Sequence, residues 1–163
     1  MSATTSLKEV YIDEMRDLWS ANDQMQRIMK TLSQKASDKK LKDLLEKSVT
    51  GIGEHTATLR EALEGQGGKV RKEHCRGMEG LVEEAKHHAL EEDLEPPFRD
   101  LVIISQYQRM SHYGLAGFGT AAAYANALGL KDDATKLKAI VKDIYKADEY
   151  SNVLAERAEK AVA

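Results

Sequence analysis

The chain has 163 residues, of which 42% are apolar and 31% are charged, a balance typical of a globular protein with a core and not of a disordered segment. Its net charge of −3 at pH 7 argues against a general electrostatic attraction to nucleic acid or to anionic membranes. The single cysteine has no partner in the chain for a disulfide, and neither a secretory signal nor an apolar run of the ~20 residues needed to span a bilayer is visible, so we expect a cytoplasmic protein.

Apolar residues at spacings of three and four dominate the sequence, and alternating β-branched runs are absent, so the pattern predicts helices throughout. The first helix is expected over about residues 6–35, and the second runs to about residue 64 with Ser37 as its N-cap. A break at Gly65, Gly67 and Gly68 follows.

The second half of the chain repeats this arrangement. A shorter, acidic helix is expected over residues 77–92, before Pro96 and Pro97. Two further long helices are expected from there to Leu128 and from Lys131 to about residue 161. The pattern predicts an all-α four-helix bundle in one domain, residues 1–163, whose helix pairs, 6–64 and 97–161, are joined by a long crossover, 65–96, that carries a short extra helix.

Each long helix has a polar residue near the middle of its apolar seam. These residues are Asn22, His55, Ser111 and Asp148. A bundle core that becomes polar at one level is where this architecture places cofactors and ligands.

Four stretches of sequence resemble the YciE/YciF-type bacterial stress-response proteins, a branch of the ferritin-like superfamily. They are YIDEMRDLWSANDQM, CRGMEGLVEEA, SQYQRMSHYGLAGFGT and LKAIVKDIYKADEYSNVLA. The matching residues include Cys75, Met78, Gly80, Leu81 and Glu84 in the crossover, and His112, Tyr113, Gly119, Thr120, Ala147 and Asp148 beyond it. The resemblance implies a ferritin-like fold and a homodimer. It also implies a site for two iron or manganese ions, which better-studied relatives hold mainly through glutamates.

The positions that the resemblance assigns to metal ligands are mostly not carboxylates in this chain. They hold Asn22, Gly51, Ser111, Gly114, Asp143 and Ile144. Neutral residues cannot offset the four positive charges of two divalent ions, so we expect that the dimetal site is lost and that no metal cofactor is bound. The resemblance then predicts a non-catalytic, stress-associated protein that acts by binding or assembly.

Two other functions are left open at this point. A residual metal-dependent oxidase or peroxidase, with iron or manganese, could use His55, His112 and Asp143 if the two histidines meet in the core, with Glu54 and Asp148 as further candidate ligands. Alternatively, the small residues could leave room in the core for a small organic ligand of unknown identity. In the plainer interpretation, both histidines are satisfied structural residues, with His55 packed beside Asn22 and Ser111.

The remaining distinctive residues have plainer interpretations. Glutamates and histidines of the crossover helix are typical of a solvated face with weak pairs four residues apart, and Cys75 next to His74 is expected to be a packed thiol. Basic stretches lack interleaved aromatic residues, so no nucleic-acid partner is expected. Gly119 is expected to be a close-packing contact, whereas Gly117 has no evident role. The tyrosines that lie near inward faces of the helices are expected to be in the core. The glutamates and histidines of the crossover cluster are Glu83, Glu84, His87, His88, Glu91 and Glu92. The basic residues are Lys69, Arg71, Lys72 and Arg76. The tyrosines include Tyr107, Tyr113, Tyr145 and Tyr150.

Overall fold

A computed structural model describes residues 4–67 and 69–163, and five helices account for most of them. The helices are α1 (Leu7–Lys35), α2 (Lys39–Gly65), α3 (Arg76–Lys86), α4 (Pro96–Ala127) and α5 (Lys131–Val162). The expected all-α bundle, two long helix pairs joined by a crossover with a short helix, is confirmed. Gly68, the third glycine of the expected break, lies outside the described residues. Within the described residues, no helix has the length and apolar content that crossing a membrane requires.

The two helix pairs pack face to face, and their buried apolar residues form two clusters. α1 packs along α2 and α4 along α5, while α1 and α4 join the pairs and α3 lies against both of these helices. α2 and α5 contact each other less than the members of either pair do. One end of the bundle is filled by Tyr11, Leu18 and Phe118, and the other by residues such as Met29 and Leu45. The looser seam between α2 and α5 is where a cavity opens into the interior.

The connection between α1 and α2 is fixed by a buried carboxylate at the start of α4. Asp100 accepts hydrogen bonds from the Ser37 N–H at 2.8 Å, the Ser37 hydroxyl at 2.6 Å and the Asp38 N–H at 2.9 Å. Asp38 is the N-cap of α2, because its carboxylate accepts the Leu41 N–H at 3.0 Å. The expectation of Ser37 as N-cap is therefore wrong, since the Ser37 side chain is used by Asp100 instead.

The crossover helix is not one regular α-helix over residues 77–92. α3 ends at Lys86 and continues as a π-helical turn over His87–Glu91. In this turn the Glu92 N–H donates to the His87 carbonyl at 3.2 Å, a bond between residues five apart. A wider turn of this kind changes which side chains share a face.

The glycines of α4 differ in what surrounds them. A Cβ at Gly117 would overlap Leu18 Cδ2 and lie 3.3 Å from Leu18 Cγ, so this glycine is required where α1 and α4 approach closely. A Cβ at Gly119 would meet nothing within 4 Å. The expectation of close packing at Gly119 is therefore wrong, and the close contact belongs to Gly117, two residues earlier and on a different face of the helix.

Candidate functional site

A cavity of about 400 Å³ opens into the bundle between α2 and α5. All six positions that the resemblance assigns to metal ligands line it, although they come from four different helices. They are Asn22, Gly51, Ser111, Gly114, Asp143 and Ile144. The structure thus brings together all six residues that the family pattern linked.

The wall of the cavity is mainly apolar, and sequence reasoning missed this part of it. Its apolar residues include Met25, Leu44, Ile52, Phe118 and Ala147. Their spacing along the helices is that of ordinary core residues, so the sequence does not distinguish them from the core. Only the unfilled space opposite them in the folded bundle identifies them as cavity residues.

Two glycines help to leave this volume unfilled. A Cβ at Gly51 would meet nothing within 4 Å, and one at Gly114 would only touch Ile144 Cδ1 at 3.6 Å. Side chains could therefore be accommodated at both positions, and their absence leaves space in the bundle at the level where the polar seam residues lie.

The polar groups that line the inner part of the cavity are neutral. The hydroxyls of Ser48 and Tyr107 share a hydrogen bond at 3.0 Å, and burial raises the pKa of Tyr107, which keeps its phenol protonated. The Asn22 amide donates to the Thr56 hydroxyl at 3.2 Å. These groups offer hydrogen bonds to a ligand without offering charge.

His55 lies between the interior and the opening. Its ring packs edge-on against Phe118 with centroids 5.9 Å apart, and its Nε2 lies 3.7 Å from Asp143 Oδ2. Burial lowers the pKa of His55, while the nearby Asp143 carboxylate partly opposes that shift. The imidazole is therefore neutral at pH 7.

Charged residues are confined to the opening of the cavity. Lys47, Glu54, Asp143 and Lys146 line it, and all four are exposed. Tyr150 is also exposed there, at 41%. Tyr145 is 53% exposed, so the expectation that both tyrosines point into the core is wrong.

His112 does not join His55. It is exposed on α4, and its Nε2 lies 3.0 Å from Oδ1 of the buried Asp148. Ser111 and Gly114 occupy the inward face of α4, and His112 is turned away from that face by one residue, about 100° of helix. The alternative in which the two histidines meet in the core is therefore wrong, and the constellation of His55, His112 and Asp143 is not assembled.

Tyr113 and Cys75 belong to a separate polar contact between α1, α3 and α4. The Tyr113 hydroxyl donates to Asp17 Oδ2 at 3.1 Å and lies 3.0 Å from Cys75 Sγ. Burial raises the pKa of the Cys75 thiol, so the thiol stays protonated, and the residue is fully buried as expected of a packed cysteine. Gly77 is needed here, because a Cβ at that position would lie 2.8 Å from the Tyr113 ring.

The donor set of the cavity does not fit two divalent metal ions. Among the six family positions only Asp143 is a carboxylate, and its side chain is 62% exposed. Glu54 is the other acidic residue at the cavity, and it is also exposed. Carboxylates held inside a bundle are what such a pair of ions requires.

Comparison with known proteins is consistent across sequence and structure. The chain matches the DUF892 family (domain of unknown function) over residues 6–163. Protein YciF of Escherichia coli K12 is 28% identical over 139 residues, which cover 85% of this chain and 83% of that protein. The crystal structure of the E. coli stress protein YciF superposes with a TM-score of 0.91 at 26% identity, covering 96% of this chain and 99% of that one.

A second solved structure shares the fold alone. YcfI of Rhodopseudomonas palustris is 22% identical and superposes with a TM-score of 0.86 over 91% of this chain and 94% of that one. The resemblance to YciF-type proteins is thereby confirmed, and the chain belongs to the DUF892 family.

Proposed function

We propose that this chain is a non-catalytic, stress-associated protein that binds a small, largely apolar organic molecule in the cavity of its bundle. The proposal rests on the cavity of about 400 Å³. Residues at all six family ligand positions line this cavity, and its charged residues lie at the opening. The association with stress is supported by the similarity to the E. coli stress protein YciF.

The size and chemistry of the cavity define the class of ligand. Small-molecule sites are typically ~300–1,000 Å³, mainly apolar, with a few polar groups that fix orientation. Here the polar groups are neutral: Ser48, Tyr107 and the imidazole of His55. A compact aromatic or alicyclic molecule with one hydrogen-bonding group fits this lining better than an ion does.

The same residues support the loss of the ferritin-like dimetal centre. Two divalent ions bring four positive charges, and Asp143 is the single family position that could offset any of them. Buried carboxylates without a metal would have to be desolvated at a cost of several kcal/mol. Loss of the ions and replacement of their ligands by Asn, Gly and Ser are therefore changes that support one another.

The binding proposal is tested with N-phenyl-1-naphthylamine, a neutral apolar probe whose fluorescence rises in an apolar site. The native chain is expected to bind one equivalent saturably. Gly51→Leu is expected to weaken binding at least tenfold while the protein stays folded, because the new side chain enters open space that belongs to the cavity.

Gly119→Leu is the matched control, since it adds the same side chain at a glycine with equally open surroundings outside the cavity. It is expected to leave the affinity unchanged. Equal binding by both variants, or no saturable binding by the native chain, would contradict the proposal.

A homodimer, which the resemblance implies, is part of the same proposal. The exposed apolar side chains of Tyr145, Tyr150 and Val153 lie on one helix, α5, and support association through it. Sedimentation equilibrium is expected to give twice the chain mass of 18.1 kDa. A mass of one chain at micromolar concentration would show that this part is wrong.

A further inference from the structure

The π-helical turn after α3 gathers donors that could hold a metal ion. Ligand atoms of His87, His88 and Glu92 all lie within 4.8 Å of one another. Across residues 4–67 and 69–163, this is the one set of three His, Cys, Asp or Glu side chains found in such an arrangement. It lies on the exposed crossover and shares no residue with the bundle cavity.

The π turn itself creates this grouping. In a regular α-helix, residues five apart point about 140° away from each other. Here the bond from the Glu92 N–H to the His87 carbonyl closes the wider turn, so that His87 and Glu92 share a face. His88 and Glu92 are four apart and already neighbours. Glu92 therefore faces both imidazoles, whereas in a regular α-helix it would face only that of His88.

One carboxylate oxygen is the point on which the donors converge. Glu92 Oε1 lies 2.7 Å from His88 Nδ1 and 3.9 Å from His87 Nε2. Small rotations of exposed side chains would bring these atoms to the separations of ~3.3 Å that bond lengths of ~2.0–2.1 Å around a tetrahedral ion require.

The other nitrogen of each imidazole faces a second carboxylate. His88 Nε2 lies 3.2 Å from Glu84 Oε2, and His87 Nδ1 lies 3.4 Å from Glu91 Oε2. A histidine that donates one ring N–H to a carboxylate keeps a lone pair on its other nitrogen and becomes a stronger ligand. Glu84 and Glu91 thus act as outer partners that direct both lone pairs toward Glu92.

From these contacts we infer that His87, His88 and Glu92 bind one divalent transition-metal ion of the zinc class, with Glu84 and Glu91 as positioning residues. Two imidazoles and a carboxylate are a ligand set that zinc accepts, with further positions open to water or to an external ligand. The exposure of His87, 63%, and of His88, 39%, leaves such positions accessible. This inference does not depend on the proposed function of the cavity.

The test is calorimetric titration of the full, metal-stripped chain with Zn(II) at pH 7.5. One ion per chain is expected to bind. His87→Ala and His88→Ala are each expected to weaken binding at least tenfold, and Glu84→Gln by about tenfold, the lower end of the effect of losing an outer partner. Circular dichroism should show unchanged helix content, because these side chains are on the surface.

His74→Ala is the matched control. His74 is an exposed histidine of the crossover paired with one carboxylate, Glu79, at 3.0 Å. Its loss should leave the stoichiometry and affinity for Zn(II) unchanged. A second titration at pH 5.5 should give binding at least tenfold weaker, because both imidazoles must lose protons to bind.

Unchanged Zn(II) affinity in His88→Ala, or the absence of saturable binding in the native chain, would overturn the assignment. Binding of equal strength at pH 5.5 and 7.5 would also overturn it, because that result would point to carboxylates alone.

Discussion

At the scale of single residues, two glycines two positions apart in α4 have opposite roles. Gly117 faces α1, and the buried side chain of Leu18 leaves no room for a Cβ there. Gly119 faces open space. Sequence alone could not separate them, because every interior glycine weakens a helix in the same way, while the space around it depends on a neighbouring helix.

We expect Gly117→Ala to lower the free energy of unfolding and Gly119→Ala to raise it. Overpacking at Gly117 costs about 1–3 kcal/mol, which the gain in helix propensity of about 1 kcal/mol offsets only in part. At Gly119 the gain of up to about 1 kcal/mol has nothing to oppose it. Urea denaturation of the two variants measures the difference, and greater stability of Gly117→Ala would contradict the close approach of α1 and α4.

The inward position of His55 could be predicted from the sequence, but its aromatic neighbour could not. The seam pattern placed it facing inward, and the structure adds that it lies edge-on to Phe118. Burial lowers the pKa of His55 below the value of 6.5 that it has in the unfolded chain. As pH falls below about 7, the unfolded chain therefore binds more protons at this residue than the folded chain does.

Stability contributed by the neutral imidazole is thus present above pH 6.5 and is lost as pH falls through the lower folded pKa. We expect the decrease in the free energy of unfolding between pH 7.5 and pH 5.5 to be smaller in His55→Gln than in the native chain. Urea titrations at both pH values measure it, with His74→Gln as the control for loss of an exposed histidine. Equal decreases in His55→Gln and the native chain would show that burial does not control this imidazole.

At the scale of the elements, the five helices and their pairing could be predicted because apolar spacing, prolines and glycines mark them in the sequence. The π turn over His87–Glu91 could not. A single turn is too short for a change of period to be visible, and the residues of the turn read equally well as a continuing α-helix. The same limit explains the wrong N-cap of α2, since Ser37 and Asp38 are both good capping residues.

Asp100 connects three elements, and its loss is expected to loosen them together. It accepts three hydrogen bonds from Ser37 and Asp38. Asp100→Ala leaves these donors without their acceptor, and we expect a loss of about 2–3 kcal/mol in the free energy of unfolding. Asp100→Asn, which keeps one acceptor oxygen, should lose less. Chemical denaturation that ranks the native chain, Asp100→Asn and Asp100→Ala in any other order would contradict this role.

At the scale of the whole molecule, the cavity unites residues from α1, α2, α4 and α5. Six of its positions could be predicted because a family pattern marked them, even though Gly51 and Ile144 carry no chemical signal of their own. Room in the core was one of the alternatives that the small residues left open. The size of the cavity could not be predicted, because it depends on how side chains such as Met25 and Phe118 fill the space opposite the glycines. The position of His112 was left open, because family motifs identify residues without fixing the face of the helix on which they lie.

We propose that this level of the bundle accommodates an organic molecule, where the family resemblance implies a pair of metal ions. The most direct test is a crystal structure of the chain soaked anaerobically in Mn(II), with anomalous diffraction to locate the ions. We expect no anomalous peak bonded to Asn22, Ser111 or Asp143 in the cavity. Two peaks about 3.5–4 Å apart at these residues would contradict it.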